Sequence, residues 1–238
     1  MAAHAKVIEA LGLLIAYLET LDPARYNPTN TNLTIDALQD LRAAANALMQ
    51  EVSDALAGWR TKAKDRALLI EKMPALAAQA VNLFASNGAD KERVKQAKTY
   101  LRKLQGRRAA PVVVDNPDTP DVDESHQSIS ASQKSAAQMI ANFKALVDFL
   151  QAQAEYQGVN VAGLKPAELN AFADQVEASH NESINAAAQV TGKRANRTNL
   201  ISDGEDSIVK RAAAVKNFVF AVYGAKSVEY KTVKGIKF

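Results

Sequence analysis

The feature that most constrains the fold of this chain is a segment that occurs twice. The run "RTKAKDRALLI" at residues 60–70 returns as "TGKRANRTNLI" at residues 191–201. At a constant offset of 131, the same Lys, Arg and Leu-Ile positions recur in both segments. A repeat with such a long period predicts two similar supersecondary units, each with its own apolar faces to bury.

The match extends on both sides of this segment. Upstream, "IEALGLLIAYLE" from Ile8 aligns with "IANFKALVDFLQ" from Ile140. Downstream, after five extra residues in the second copy, "LFASNGADKERVK" from Leu83 aligns with "VFAVYGAKSVEYK" from Val219. The shared order and spacing of apolar residues predict a tandem duplication.

Composition predicts that both copies are helical. Strong helix formers fill tracts such as "LRAAANALMQEVSDALAG", and the 238 residues include only 10 Gly and 7 Pro. We therefore expect an all-α protein made of two tandem, related bundles of three to four helices each. Copy one is expected at 1–105, an acidic Pro-rich linker at 106–131, and copy two at 132–238.

Each copy is expected to contain three main helices, which start and stop at recognisable cap residues. The expected bounds are 4–21, 34–58 and 73–87 in copy one, and 132–156, 165–192 and 204–223 in copy two, with a capping box at Ser130 and Gln133. Copy one adds a basic helix, "DKERVKQAKTYLRKL", whereas the end of copy two is less clearly helical. The repeated basic segment would then lie where helix two ends, and its Leu-Ile pair would close each bundle.

Charge is segregated along the chain. Residues 58–108 carry 13 basic and 4 acidic side chains, and residues 193–238 carry 10 basic and 4 acidic ones. One interpretation is that acidic and basic helices pack side by side as solvated faces with weak ion pairs. The other is an anion-binding or nucleic-acid-binding surface. The candidate residues for that surface are Lys62, Arg66, Lys193, Arg197, Lys98, Arg102 and Lys103.

The sequence offers no catalytic motif, and it predicts neither a metal site nor a cofactor. The chain has no Cys, which excludes thiolate chemistry. Glu177 and His180 have the Glu-x-x-His spacing of di-iron bundles, but such sites need a second pair, and copy one has Asn46 and Met49 there. An exposed polar helix face is therefore the expected role of Glu177 and His180.

The N-terminal region favours a cytoplasmic protein, with a secreted one as the alternative. Glu9 interrupts the first apolar run, and Val7, Leu11, Leu14 and Leu18 follow the spacing of an amphipathic helix. No uninterrupted apolar run reaches the roughly 18 residues of a membrane span. We therefore expect no transmembrane segment.

The C-terminus carries the pattern G-x-x-S-x-E-Y-K-x-V. Its residues are Gly224, Ser227, Glu229, Tyr230, Lys231 and Val233. Together with "RTNLI", this ending resembles a bacterial family of uncharacterised helical proteins over about the last 50 residues. The resemblance implies no activity.

These observations favour a non-enzymatic binding or scaffold module whose partner is a protein. The first alternative is an anion or nucleic-acid binder that acts through the basic end of each copy. The second alternative is a metal-dependent or hydrolytic enzyme.

Overall fold

The computed structural model describes residues 2–106 and 135–238, and helices are the only regular secondary structure in these ranges. The all-α prediction is confirmed. The helices are α1 (Ala2–Leu18), α2 (Ile35–Ser86), α3 (Lys91–Leu104), α4 (Ala136–Gln151), α5 (Ala154–Gln157), α6 (Pro166–Thr198), α7 (Ile208–Tyr223) and α8 (Val228–Gly235). A 3-10 turn at Thr31–Leu33 precedes α2, and a π-helical turn at Asn199–Asp203 follows α6. Residues 107–134, with most of the predicted linker and the predicted capping box, lie outside the described residues.

Helix α2 is continuous over 52 residues, which corrects the predicted end at Gly58 and the predicted new start at 73. Gly58 is exposed, with nothing within 4 Å of a Cβ built on it, so its main cost is a helix propensity about 1 kcal/mol below that of Ala. Pro74 removes one backbone donor inside the helix. Packing of both ends of α2 outweighs these local costs. Lys62 and Arg66 therefore lie in a helix interior and not, as predicted, at a helix end.

In the second half of the chain the corresponding long helix, α6, ends later than the predicted position at residue 192. Helix α6 continues past Gly192 to Thr198 and ends in the π-helical turn. The Gly204 N–H donates a hydrogen bond to the Asn199 carbonyl over 2.8 Å. A Cβ at Gly204 would lie 2.6 Å from that same oxygen, so the turn requires Gly. Arg197 does lie in the last turn of α6, as predicted.

The chain forms two compact units whose bounds differ from the predicted segments. Unit 1 combines residues 1–59 with 186–238, and unit 2 consists of residues 60–185. Helices α2 and α6 contribute residues to both units. The physical reason is their length, because each helix continues beyond the point where a self-contained bundle would turn.

The core of unit 1 is built from α1, the start of α2, α7 and α8. Its buried residues include Ile8, Leu14, Leu18, Leu38, Ile201, Val215 and Val233. The core of unit 2 is built from the end of α2, α3, α4, α5 and the start of α6. Its buried residues include Phe84, Ala97, Ile140, Leu146, Leu150, Tyr156 and Leu169. The apolar positions shared by the aligned segments from Ile8 and Ile140 are thus buried in α1 and in α4, as predicted.

A buried tyrosine anchors the segment that follows α1 in unit 1, and another anchors the segment that follows α4 in unit 2. The Tyr26 hydroxyl donates to the Leu33 carbonyl over 2.6 Å in unit 1, and the Tyr156 hydroxyl donates to the Leu164 carbonyl over 2.9 Å in unit 2. Burial raises the pKa of both tyrosines to about 12. The two loops therefore have the same anchor.

The C-terminal pattern forms the turn between two helices. Gly224 ends α7 with a φ of 87°, in the left-handed region that favours glycine. The Ser227 side chain caps α8 by accepting a hydrogen bond from the Tyr230 N–H, and Val233 is fully buried. The end of copy two is therefore helical, contrary to expectation. Phe238, beyond α8, packs against the core of unit 1.

Among the described residues, α2 is the one helix that is long and apolar enough to pass a test for membrane spans, although no such segment was expected. The core helix of a globular unit can have the same length and composition. Met73, Val81 and Phe84 of α2 are fully buried in the core of unit 2.

Candidate anion-binding surface

Helix α3 is strongly amphipathic, and side chains at both of its ends favour the helix. The Asp90 side chain accepts a hydrogen bond from the Glu92 N–H over 2.8 Å, and Arg102 and Lys103 lie in the last turn, at the negative end of the helix dipole. The apolar face, which includes buried Ala97 and Leu104, packs into the core of unit 2 against α4. The opposite, polar face remains exposed.

A row of four cations runs along this exposed face, and we name it the α3 stripe. Its members are Lys91, Lys95, Lys98 and Arg102. Their spacing of four, three and four residues places them on one side of a helix. They line an open cleft of about 510 Å³ whose remaining lining residues are Ala85, Ala89 and Val94. The cleft is thus a small apolar floor bordered by positive charge.

Among the described residues, the charge of α3 is largely uncompensated. Its 14 residues hold six Lys or Arg residues and one acidic residue, Glu92. Within the described ranges, Glu92 is the only carboxylate within 4 Å of a stripe cation, at 3.6 Å from the Lys95 ammonium, and both side chains are mostly exposed. Such exposed pairs are weak. Arg93, which is not part of the stripe, bonds to Glu155 over 3.3 Å. The stripe therefore presents a positive surface that would attract anions.

The predicted site residues divide between α3 and the two long helices. Lys98 and Arg102 belong to the stripe. Lys103 lies next to Arg102 on the same helix, with its ammonium 5.9 Å from the centre of the Tyr100 ring. The other four candidates lie on α2 and α6.

Lys62 and Lys193, the two lysines of the repeated segment, each pair with a carboxylate. In unit 2 the Lys62 ammonium lies 2.8 Å from Glu182, and in unit 1 the Lys193 ammonium lies 2.5 Å from Glu51. The offset of 131 that relates the lysines also relates the two glutamates. All four side chains are about half exposed, so each pair contributes at most about 1 kcal/mol.

The two arginines of the repeated segment turn toward the protein. Arg197 is only 8 % exposed, and its Nε is buried with no hydrogen-bond partner among the described residues. Arg66 is half-buried, and its Nε is likewise buried without a hydrogen-bond partner among the described residues. Burial and then the Arg197 charge lower the pKa of nearby His4. Neither arginine is among the residues that line the cleft of α3.

Glu177 and His180, the pair with di-iron spacing, do not form part of a ligand cluster. Glu177 and Asp174 both bond to the Lys144 ammonium, and the bond to Glu177 is the main cause that raises the pKa of Lys144. His180 is half-buried. The described residues contain no group of three or more Asp, Glu or His side chains that could hold a metal ion. Asp123 and His126, which have the same spacing in the linker, lie outside the described residues.

Sequence reasoning missed two members of the stripe, Lys91 and Lys95. The signal was present in the predicted basic helix "DKERVKQAKTYLRKL", because the helical period groups these lysines with Lys98 and Arg102.

No protein-family model matches this chain, and no match is found among curated proteins or solved structures. The geometry and charge of the chain itself therefore carry the argument for function.

Proposed function

We propose that the protein is a non-enzymatic binding module for an anionic partner and that the α3 stripe is its binding surface. The observation that carries this proposal is the alignment of four cations along a cleft of about 510 Å³, where the described residues place one carboxylate, Glu92, in a weak exposed pair with Lys95. Lys62 and Lys193 are poorer candidates because their ammonium groups already have carboxylate partners.

The exposure of the stripe indicates what kind of anion it would bind. Lys91, Lys95, Lys98 and Arg102 are all exposed, so their charges remain hydrated. A single small anion would gain little from one or two hydrated cations, because the attraction at high dielectric is weak and is screened by salt. A polymeric anion that contacts the whole stripe would sum several such attractions.

Calorimetric titration with long-chain inorganic polyphosphate at low salt tests this proposal. We expect the full-length protein to bind polyphosphate, and the double variant Lys95→Ala/Lys98→Ala to bind at least 10-fold more weakly. Both positions are exposed and helical, where Ala is well tolerated. The free energy of unfolding should therefore stay within about 0.5 kcal/mol of that of the original protein.

The matched control is Lys231→Ala/Lys234→Ala, which removes the same two charges, at the same spacing, from exposed positions of α8. It should bind polyphosphate within about twofold of the original protein. Absence of polyphosphate binding at low salt, or equal loss in both double variants, would contradict the proposed function.

We also propose that the chain arose by tandem duplication. Support comes from features that recur in both halves of the sequence: the tyrosine anchors of the two loops, the Lys–Glu pairs at a common offset, and the glycine caps. Gly88 and Gly224 have φ values of 85° and 87°. The buried positions of the end of α2 and of α7 also follow the same spacing, with Met73, Ala77, Ala80 and Phe84 in one helix and Ile208, Ala212, Val215 and Val219 in the other.

A further inference from the structure

We infer that the anionic partner of the α3 stripe is duplex nucleic acid, bound through its phosphate backbone without readout of base sequence. This inference rests on the proposed function and adds the class of ligand. It follows from the length of the stripe, the side chains of the cleft and the burial of the apolar face of α3.

The stripe is long and straight, which suits a polymer with regularly spaced charges. At 1.5 Å per residue, successive cations lie about 4.5 to 6 Å apart along the helix, and Lys91 and Arg102 are separated by about 16 Å. A compact phosphate compound would reach only part of this length. A nucleic-acid backbone presents phosphates along the whole of it.

The side chains of the cleft are better suited to contact phosphates than to read a mixed base sequence. In a duplex groove Arg and Lys can read guanine, but readout of adenine and cytosine depends on amide and acidic side chains, and single-strand binding depends on aromatic rings that stack on bases. The seven residues that line the described cleft include three Lys, one Arg, two Ala and one Val, with no aromatic or amide side chain. A duplex, which has a higher charge density than a single strand and needs no stacking platform, is therefore favoured.

The packing of α3 argues against an anionic membrane as the partner. Basic amphipathic helices bind membranes by inserting their apolar face at the boundary between headgroups and acyl chains. In α3 that face is already occupied, since Ala97 is fully buried and Leu104 is 3 % exposed in the core of unit 2. Only the charged face remains for a partner.

Fluorescence anisotropy with labelled 20-base-pair duplexes at several salt concentrations tests the inference on the full-length protein. If four phosphates are neutralised, the slope of log K against log salt should be about −3 to −4, so the affinity falls about 100-fold between 50 and 200 mM salt. Two duplexes of unrelated sequence should bind within about twofold of each other, and the corresponding single strands should bind more weakly. Lys95→Ala/Lys98→Ala should reduce the magnitude of the slope by about 2, whereas Lys231→Ala/Lys234→Ala should leave it unchanged.

Four outcomes of the nucleic-acid titrations would overturn the inference. They are no duplex binding at 25 mM salt, a more than 10-fold preference for one duplex sequence, tighter binding of single strands, and equal loss of affinity in the control variant. Binding to vesicles that contain phosphatidylserine, if it is tighter than duplex binding and is lost with Lys95→Ala/Lys98→Ala, would overturn the choice of nucleic acid. If polyphosphate binds at the stripe and duplexes do not, this inference fails and the proposed function stands.

Discussion

At the scale of single residues, the same kind of side chain has different environments that no local pattern distinguishes. Lys62 and Lys98 both occur in basic stretches, but Lys62 bonds to Glu182, 120 residues away, and Lys98 lines the cleft of α3. Lys193 likewise bonds to Glu51, 142 residues away. A partner so distant in sequence cannot be identified by charge counting. The two lysines and two arginines of the repeated segment were candidates for an anion-binding surface; in the structure both lysines have carboxylate partners, and both arginines have buried Nε atoms.

The buried tyrosines lead to a prediction about alkaline stability. An unperturbed tyrosine has a pKa of about 10, and burial raises the pKa of Tyr26 and Tyr156 to about 12. Between about pH 10 and pH 12 both tyrosines therefore remain protonated in the folded chain but are deprotonated in the unfolded chain. Their contribution to stability is therefore complete below about pH 10 and decreases as the pH rises toward 12.

Urea unfolding of Tyr26→Phe and Tyr156→Phe at neutral and alkaline pH checks this prediction. At neutral pH the free energy of unfolding of each variant should be about 1–2 kcal/mol lower than that of the original protein, because a buried carbonyl loses its hydrogen-bond donor. Between pH 10 and 12 the free energy of unfolding of each variant should also decrease less than that of the original protein. Tyr100→Phe, at a half-buried ring of α3, is the control and should change stability by less than about 0.5 kcal/mol. An unchanged alkaline loss in both variants would mean that other groups cause it.

At the scale of helices, tertiary packing decides where the long elements end. Gly58 and Gly192 are usual helix stops, yet both lie inside helices, whereas Gly88 and Gly224 do follow helix ends. The difference is visible in the backbone, because only Gly88 and Gly224 of these four have a positive φ. The sequence context alone does not reveal which glycine adopts that conformation.

The two classes of glycine should respond in opposite ways to Ala. Gly58→Ala and Gly192→Ala should each raise the free energy of unfolding by up to about 1 kcal/mol, since Ala favours helix and the added Cβ meets nothing within 4 Å. Gly88→Ala and Gly224→Ala should lower it by about 1 kcal/mol or more, because Ala is strained at φ values of 85° and 87°. Urea melts of the four variants measure both effects. Destabilisation by Gly58→Ala would argue that α2 is interrupted at that position.

At the scale of the whole molecule, each hydrophobic core combines helices from both halves of the sequence. The core of unit 1 includes Leu14 from α1 and Val215 from α7, and the core of unit 2 includes Phe84 from α2 and Phe143 from α4. Neither half of the chain alone supplies all the helices of one core. The two halves should therefore depend on each other for stability even without a covalent connection.

Cutting the chain between the two halves tests this interdependence. A single protease site inserted within residues 107–134 would allow the folded protein to be cleaved into two fragments. We expect the fragments to elute together in size-exclusion chromatography at neutral pH and to separate only in denaturant, because each core would be split by their dissociation. Cleavage of the unfolded chain confirms that the site is cut. Separation of the fragments under native conditions would show that each half forms its own core.

The sequence by itself determined the helical class, the apolar faces of α1 and α4, and the amphipathic character of α3. These properties depend on propensity and on spacing within one helix, so neighbouring residues are sufficient to specify them. Tertiary structure decided the continuity of α2, the carboxylate partners of Lys62 and Lys193, and the grouping of helices into two units. Each of these outcomes depends on residues far apart in sequence, whose packing outweighs a local cost such as Gly58 or Pro74 in a helix. The α3 stripe lies between these cases: helical spacing aligns its cations, but only the packing of the apolar face into unit 2 leaves that row facing outward.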